Sequence, residues 1–327
     1  MMLKTIKSFA AGALMLAATP IALASDVFPN KAVTIVVPFN PGGGVDTVAR
    51  VLADKLSVTF GQNVLVENKP GGSGMIGARS VVKAKADGYT LLLGSSGETA
   101  INAFVYKEKM RYSPEKDLAP VTLVTKIPNV MLVSPKVPGD SIEAFVKHAK
   151  ANPGALTYAT SGTGNSQHLN GELLNRMAGI EMIQIPYKGA SKQLVDVASG
   201  DVDATFVSYA AARAFIADGK VTPLGVTSAK RAAFDESIPA LAEYEPLKAY
   251  QLENWFGLFA PANTPKPVLE VVNAAVVDAL NDAELSSKLS NLGGQPAPMT
   301  LEEFADFLAT EREQFKKIVE SANISIR

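Results

Sequence analysis

The 327-residue sequence contains no cysteine, two histidines and one tryptophan. Without cysteine the chain forms no disulfide, thiolate zinc site, iron-sulfur cluster or catalytic thiolate, and it carries no lipid-modified cysteine. Charged residues make up 19% of the sequence, with 31 basic against 32 acidic side chains. This balance, without a basic stripe, argues against nucleic acid as a partner. With 47% hydrophobic residues, the chain can build one large or two ordinary domains.

The start of the chain has the three parts of a secretory signal: a basic beginning, an apolar run over 9–18, and small residues ending at Ala24. The apolar run is shorter than the roughly 20 residues that a membrane-spanning helix needs, and Pro20 interrupts it. We therefore expect a signal peptide over 1–24, cleavage after Ala24 and a mature protein in the periplasm. An uncleaved membrane anchor is the alternative.

Short β-branched runs alternate with helical patterns, which predicts an α/β fold of parallel strands covered by helices. In the first unit, the predicted strands are 33–39, 63–68 and 90–94, and the predicted helices are 45–60 and 75–84. In the second unit, the predicted strands are 156–160, 182–186 and 204–207, and the predicted helices are 141–152, 165–178 and 191–199. A strand at 255–260 and helices at 267–280, 282–292 and 301–322 end the chain.

No flexible linker separates the two units, because no Pro/Gly/Ser-rich stretch or charge run of the required length lies between them. The joining segments at 120–133 and 251–260 have the character of strands. Two strand crossings predict a hinge between two lobes. We expect lobe 1 to comprise 25–127 and 251–327, and lobe 2 to comprise 128–250. One continuous domain with a long sheet is the alternative.

Three consecutive glycines, Gly42, Gly43 and Gly44, stand between the first predicted strand and the first predicted helix, in the segment PFNPGGGVD. Unpaired N–H groups and the positive end of the helix dipole meet at such a helix N-terminus. The segment therefore predicts an anion site that needs no lysine or arginine. The alternative is a tight turn in which Asp46 caps the helix.

The second unit repeats this arrangement in the segment ATSGTGNSQH, which follows a predicted strand and opens a predicted helix. Its candidate ligand-binding residues are Ser161, Gly162, Thr163, Asn165 and His168. Two helix N-termini, one from each lobe, would face a shared cleft and could bind a small carboxylate there. His168 either donates to an anion or is a packed structural histidine.

Two further loops follow predicted strands and should emerge at the edge of the sheet where open α/β sheets bind ligands. Their candidate residues are Ser95, Ser96 and Thr99 in the first loop and Phe206, Val207 and Ser208, followed by Tyr209, in the second. Ser95 with Glu98 also matches a capping box, which is a purely structural alternative for the glutamate.

Enzyme and cofactor signatures are weak or absent in the sequence. The segment GSGMIG at 72–77 matches the dinucleotide fingerprint, but it does not follow the first strand, and Glu98 is not directly at the end of a strand. The sequence has no G-x-S-x-G elbow, no Walker lysine and no H-E-x-x-H pair. We therefore expect no catalytic residue, no metal and no cofactor.

Seven ordered motifs make the sequence similar, over essentially the whole predicted mature chain, to the solute receptors of tripartite tricarboxylate transporters, often called Bug receptors. The motifs are PFNPGGGVD, ENKPGGSGMIGA, ADGYTLLLG, TSGTGNSQHL, IPYKGASKQLVDVASGDVD, GVTSAKR and WFGLFAPANTP. The resemblance implies a type II periplasmic binding protein, with two α/β lobes joined by two crossing strands. It further implies that a monomer closes on a small organic acid and delivers it to a two-component integral membrane permease.

The resemblance also implies that a ligand carboxylate is held between the two glycine-rich loops, partly through ordered waters. Carried over by position, the first loop would contribute Phe39, Gly42, Gly43, Gly44 and Asp46, and the second Ser161, Gly162, Thr163, Asn165 and His168. Selectivity for the far end of the ligand would come from the loops at 95–99 and 206–209.

Three positions depart from the family pattern, and one of them bears on the ligand. Val207 stands where many members have Asp or Asn, so a ligand with an ammonium group is less expected. Val45 replaces a small hydroxyl residue and Gln184 replaces a common His, without disturbing the anion site.

Two alternative functions are an exported α/β enzyme using His168 or Asp46 as acid or base, and a sensory binding protein that presents its ligand to a receptor kinase.

Overall fold

The computed structural model describes residues 28–321 and 324. The predicted signal peptide over 1–24, its cleavage point after Ala24, and Ala322 of the last predicted helix lie outside the described residues. Within the described part of the chain, no helix combines the length and the apolar character needed to cross a membrane.

The elements alternate between strands and helices along most of the chain. The strands are β1 Val33–Val37, β2 Val64–Asn68, β3 Thr90–Ser95, β4 Leu118–Ile127, β5 Asn129–Val133, β6 Leu156–Thr160, β7 Met182–Pro186, β8 Ala204–Ser208, β9 Thr222–Val226, β10 Asn254–Pro261 and β11 Gln295–Pro296. The α-helices are α1 Gly44–Phe60, α2 Met75–Val82, α3 Asn102–Val105, α4 Pro114–Asp117, α5 Ile142–Ala151, α6 Ser166–Ala178, α7 Ala190–Ser199, α8 Tyr209–Ala217, α9 Lys266–Asn281, α10 Ala283–Asn291 and α11 Leu301–Ser321. A wider helical turn at Gly97–Ile101 leads into α3, and single helical turns lie at Lys107–Lys109, Leu241–Glu243 and Glu245–Leu247.

The strands form two sheets, which define the two predicted α/β lobes. The first sheet has the order β11-β4-β10-β3-β1-β2, and the second has the order β7-β6-β8-β5-β9. β1 is parallel to β2 and β3, and β6 is parallel to β7 and β8, as the alternating pattern predicted. β10 and β5 instead run antiparallel to their neighbours, because they follow the crossings between the sheets.

The chain crosses between the sheets at two places. On the outward path only Pro128 separates β4, which ends at Ile127, from β5, which begins at Asn129. Proline lacks an N–H group and cannot continue a hydrogen-bonded ladder, so the predicted joining strand over 120–133 is divided in two. The return path enters the first sheet at Asn254, the first residue of β10, which pairs with Ile127.

The helices pack on the sheets through apolar stripes of helical spacing. In α1, Val45, Val48, Leu52 and Leu56 are buried, and the helix ends at Gly61, which has the left-handed conformation (φ 61°). The largest apolar core runs through both lobes. It joins Phe145, Tyr158 and Phe206 of the second lobe to Trp255 and Phe304 of the first. Residues at or just after the carboxyl ends of β1, β3, β6 and β8 surround one space between the lobes.

Candidate functional site

A cavity lies between the two lobes, and both predicted glycine-rich loops reach it. The volume within it that the centre of a water molecule can occupy is ≈ 70 Å³. One water needs about 10 to 15 Å³ on that measure, so the cavity suits a small molecule. Its lining residues include asparagines, serines, glycines and two phenylalanines, and no charged side chain is among them.

The first glycine-rich loop supplies one wall of the cavity, through Phe39, Asn40, Gly43, Gly44 and Val45. Gly43 precedes α1 with extended backbone and no side-chain cap. The first N–H groups of a helix have no partner within it, so this wall presents main-chain donors at the positive end of the helix dipole.

Asp46 and Gly42 do not line the cavity but hold this loop in place from behind. The Asp46 carboxylate accepts hydrogen bonds from the Gly42 N–H at 2.9 Å, from Asn68 Nδ2 at 2.9 Å, and from two guanidinium nitrogens of Arg50 at 3.0 Å each. Burial by itself raises the pKa of Asp46, but the hydrogen bonds together outweigh it, and the pKa lies below its usual value. The carboxylate therefore stays ionised as an anchor.

The second glycine-rich loop supplies the facing wall, through Ser161, Asn165, Ser166 and Gln167. Asn165 caps α6, since its Oδ1 accepts from the His168 N–H at 3.0 Å. Ser161 Oγ accepts a hydrogen bond from Gln193 Nε2 at 2.7 Å. Because that oxygen already accepts from Gln193, its own O–H remains available to donate into the cavity.

His168 lies behind this loop and is absent from the cavity lining. Its Nδ1 accepts from the Gly164 N–H at 3.1 Å, and only 7% of its surface is exposed. Burial lowers the pKa of His168 to about 4, so the ring is neutral with its proton on Nε2. This histidine therefore makes a contact that holds the loop, as the alternative of a packed structural histidine predicts.

Gly162 and Thr163 face the other lobe rather than the cavity. Gly162 has φ 129°, and a Cβ placed on it would lie 2.6 Å from Ser73 Oγ. The Thr163 carbonyl accepts from the Tyr106 hydroxyl at 2.9 Å, and that hydroxyl in turn accepts from Ser73 Oγ at 2.9 Å. These two positions therefore join the lobes beside the cavity.

The segment that matches a dinucleotide fingerprint serves packing and this lobe contact. A Cβ on Gly77 would lie 2.7 Å from Pro38 Cα, and a Cβ on Gly74 would lie 2.8 Å from the Glu98 carboxylate. Both glycines let α2 approach its neighbours closely. Ser73 precedes Gly74 in the chain and lies next to Gly162 of the second lobe. Its hydroxyl contacts the Tyr106 hydroxyl.

A third helix N-terminus, which was not predicted as part of the site, also reaches the cavity. Gly189, Ala190 and Ser191 line it at the start of α7, and Gly189 precedes the helix without a side-chain cap. The local signal was present in the sequence, because Gly189 follows a predicted strand and opens a predicted helix, as the two glycine-rich loops do.

In the loop after β3, Ser95 lines the cavity and is held by Glu98. The Ser95 N–H donates to Glu98 Oε1 at 2.5 Å, and Ser95 Oγ lies 2.6 Å from Glu98 Oε2. The N–H contact is one half of the capping box considered above. Glu98 is fully buried, and this burial outweighs the hydrogen bonds from Ser95 and raises the pKa of the carboxyl to about 7.

Ser96 and Thr99 are buried behind Ser95 and do not line the cavity. Ser96 Oγ donates to Asn254 Oδ1 at 2.9 Å, and Thr99 Oγ1 donates to the Ser95 carbonyl at 2.5 Å. Their contacts fix the positions of two residues that do line the cavity.

Phe206, Val207 and Ser208 belong to the end of β8 itself, and of these three only Ser208 lines the cavity. Phe206 and Val207 are fully buried in separate apolar cores, because successive strand residues point to opposite faces of the sheet. Asn129, Asn254 and Phe256, which the sequence analysis did not select, complete this side of the cavity. Their selection depends on pairings between distant strands that no local motif reveals.

The two lobes touch on several sides of the cavity. A Cβ on Gly44 would lie 2.7 Å from Ser208 Oγ of the other lobe, and Asn40 Nδ2 donates to the Lys188 carbonyl at 3.4 Å. The Ala210 N–H donates to the Leu292 carbonyl at 3.1 Å. These contacts between the lobes close the cavity in part.

Chemically, the cavity offers donors from the starts of α1, α6 and α7, together with hydroxyls and amides, but no acidic or basic side chain. Among the described residues, no three His, Cys, Asp or Glu side chains come together in a way that could hold a metal ion. A cavity of this composition between two α/β lobes defines a two-lobed solute-binding protein. How each predicted residue contacts a ligand stays a prediction.

Comparison with known proteins places the chain within this class. Residues 48–324 match the sequence profile of the tripartite tricarboxylate transporter family receptor. The chain belongs to this receptor family, as its motifs suggested.

Three solved structures show the same fold over about nine tenths of the chain. The R. palustris protein Rpa4515 with adipate is 33% identical, with a TM-score of 0.88, 91% of this chain and 100% of that chain covered. The periplasmic binding protein BugD is 29% identical, with a TM-score of 0.85 and coverage of 91% and 100%. MatC from Rhodopseudomonas palustris with bound malate is 30% identical, with a TM-score of 0.82 and coverage of 89% and 100%. These relatives are binding proteins rather than enzymes, and the expectation that this chain is no enzyme is confirmed.

Proposed function

We propose that this chain is a periplasmic receptor that captures a small dicarboxylate between its lobes and delivers it to a two-component membrane permease. The observation that carries the proposal is the cavity between the lobes, which is walled by three helix N-termini and has no charged side chain in its lining. Hydrogen bonds to a charged group contribute about 1.5 to 3 kcal/mol each. Three or four such bonds therefore approach the roughly −8 kcal/mol of micromolar binding.

Two relatives support the choice of a small dicarboxylate. Their solved structures contain adipate and malate, which are both short acids with two carboxylates. The cavity of this chain holds no acidic side chain that could accept a hydrogen bond from an ammonium group. An amino acid ligand is therefore disfavoured.

The proposed mechanism is hinge closure of a monomer. Lobe 1, over 25–127 and 251–327, and lobe 2, over 128–250, rotate about the crossings next to Pro128 and Asn254. A ligand that contacts both lobes stabilises the closed arrangement, and the permease recognises that arrangement. The contacts across the cavity, such as Tyr106 with Thr163, contribute to the closed form.

The decisive experiment is a thermal-shift screen of C4 to C6 dicarboxylates and monocarboxylates, followed by calorimetry. A ligand at a hundredfold excess over Kd should stabilise the folded protein by about 2.7 kcal/mol. Absence of binding to every acid in the panel would sink the proposal. Conversion of an acid in the same mixtures would instead favour an enzyme.

The permease and the location need their own measurements. Deleting the gene should abolish uptake of the radiolabelled acid by intact cells, and restoring it should rescue uptake. Normal uptake with a lost transcriptional response to the acid would favour the sensory alternative. Fractionation and N-terminal sequencing should find the mature chain in the periplasm, beginning at Ser25.

A further inference from the structure

The amide of Asn129 is a buried donor without a partner at the hinge side of the cavity. Asn129 is 2% exposed and lines the cavity, and its Nδ2 has no hydrogen-bond partner within the described residues. A buried polar group of this kind is rare in folded proteins and calls for an explanation.

Hydrogen bonds hold the main chain of Asn129, so the Cα atom from which its side chain extends has a fixed position. Its N–H donates to Thr227 Oγ1 at 2.9 Å, and its carbonyl accepts from the Thr227 N–H at 2.9 Å. On the other side it pairs with Ser208 across β5 and β8. The residue follows Pro128 directly, so it lies at the outward crossing between the lobes.

The return crossing carries a second amide of the same chemistry. Asn254 also lines the cavity, and its Oδ1 is occupied by the Ser96 hydroxyl at 2.9 Å. Since the oxygen already accepts a hydrogen bond, the group that Asn254 can offer a ligand is its NH₂. Both crossings therefore place an amide donor beside the same cavity.

The helix N-termini account for one carboxylate of a ligand, and these amides lie on strands at the crossings. Less than 1 Å² of Asn129 Nδ2 is accessible to water, so the amide must turn towards the cavity before an atom there can reach it. Once the amide has turned, an acceptor oxygen in the cavity can accept its hydrogen bond, whereas an ammonium group or a methyl group cannot.

We propose that Asn129 is a specificity-determining residue that donates to the second carboxylate of the ligand and so selects dicarboxylates over monocarboxylates. This inference rests on the proposed function and names the residue that reads the distal end of the ligand. It adds the hinge strand beside Ser208 to the loops at 95–99 and 206–209, from which selectivity for that end was expected.

The test uses two substitutions and pairs of ligands matched in length. Asn129→Leu removes the amide while keeping a similar shape, and Asn129→Asp replaces the donor by an acceptor. Calorimetry would compare adipate with hexanoate and succinate with butyrate on the full mature protein. We expect Asn129→Leu to weaken the dicarboxylate that the wild type binds by about tenfold to a hundredfold, with monocarboxylate binding nearly unchanged. Asn129→Asp should weaken the dicarboxylate further.

A structural role predicts a different pattern. If a trapped water or a protein group needs the amide, Asn129→Leu lowers the melting temperature of the unliganded protein and weakens both ligands of a pair equally, which overturns the inference. If Asn129→Leu does not fold, equal dicarboxylate affinity of Asn129→Asp and the wild type overturns it as well. A wild-type protein that binds none of the acids contradicts the proposed function itself, whereas unchanged dicarboxylate binding by the variants contradicts only the role of Asn129.

Discussion

Gly44 and Ser208 meet across the cavity so closely that a Cβ on the glycine would lie 2.7 Å from the serine Oγ and 3.3 Å from its Cβ. Gly44 belongs to the first glycine-rich loop and Ser208 to the strand end of the other lobe. The glycine is thus required by the approach of the two lobes, in addition to any approach of the ligand.

Gly44→Ala should hinder closure and weaken dicarboxylate binding several-fold, because Ser208 Oγ must rotate away from the new methyl group and Ser208 Cβ, 3.3 Å from it, must give way by a few tenths of an ångström. The fold should persist, since the new methyl group meets only the opposite lobe and, at 3.6 Å, one Phe256 ring atom. Calorimetry gives the affinity, and small-angle scattering with adipate present gives the degree of closure. Adding Ser208→Gly removes both opposing atoms and should restore closure; failure of this rescue would contradict the steric explanation.

Asp46→Ala should lower the free energy of unfolding by about 3 kcal/mol, since it removes charge-assisted hydrogen bonds from Gly42, Arg50 and Asn68. The freed loop should also bind dicarboxylates more weakly. Urea denaturation and calorimetry measure the two effects. Asp54→Ala, at an exposed position of the same helix, is the matched control and should change neither. Equal behaviour of the two variants would contradict the anchoring role.

Glu98 should make the wild type less stable as pH rises. Its folded-state pKa of about 7 lies above the ordinary value of 4.5, so its contribution is full below pH 4.5 and is lost as pH rises through about 7. The loss amounts to about 3 kcal/mol. Glu98→Gln mimics the protonated carboxyl and should remove this slope, making the variant the more stable protein at pH 8. Urea denaturation between pH 4 and 8 checks this, with Glu302→Gln as an exposed control. Parallel stability curves would contradict the prediction.

His168 should act in the opposite direction. Its folded-state pKa of about 4 lies below 6.5, so its contribution is present above pH 6.5 and is lost as pH falls towards 4. His168→Asn keeps an acceptor for the Gly164 N–H and should abolish the resulting loss of about 3 kcal/mol. The other histidine offers the control His148→Asn. Since Glu98 and His168 offset each other between pH 4.5 and 6.5, each must be measured as a difference between variant and wild type.

Local pattern predicted most of the framework. β6 and β7 have the predicted limits, because each is a short β-branched run bounded by turn residues. α8 was not predicted, since its sequence is apolar at every position except Arg213 and shows no alternation between an apolar and a polar face. The break at Pro128 was missed because the segments on both sides, 121–127 and 129–133, are rich in β-branched and other apolar residues.

The site was less accessible to sequence reasoning than the fold. Helix N-termini follow from strand, glycine and helix in sequence, so two of the three were predicted and the third, at Gly189, carried the same signal. The choice between cavity and interior for His168 and Phe206 depends on which distant atoms surround them. Asn129 reaches the cavity through pairings with Ser208 and Thr227, which are far away in the chain.

The uncharged lining of the cavity has a consequence for the medium in which the receptor operates. Salt screens charges over a Debye length of about 8 to 10 Å at ordinary ionic strength, but it hardly affects dipoles that touch an enclosed ligand. A protein that collected anions with lysines and arginines would lose affinity as salinity rises. Because main-chain N–H groups, amides and hydroxyls make the contacts here, capture should proceed equally well in dilute and in salty surroundings.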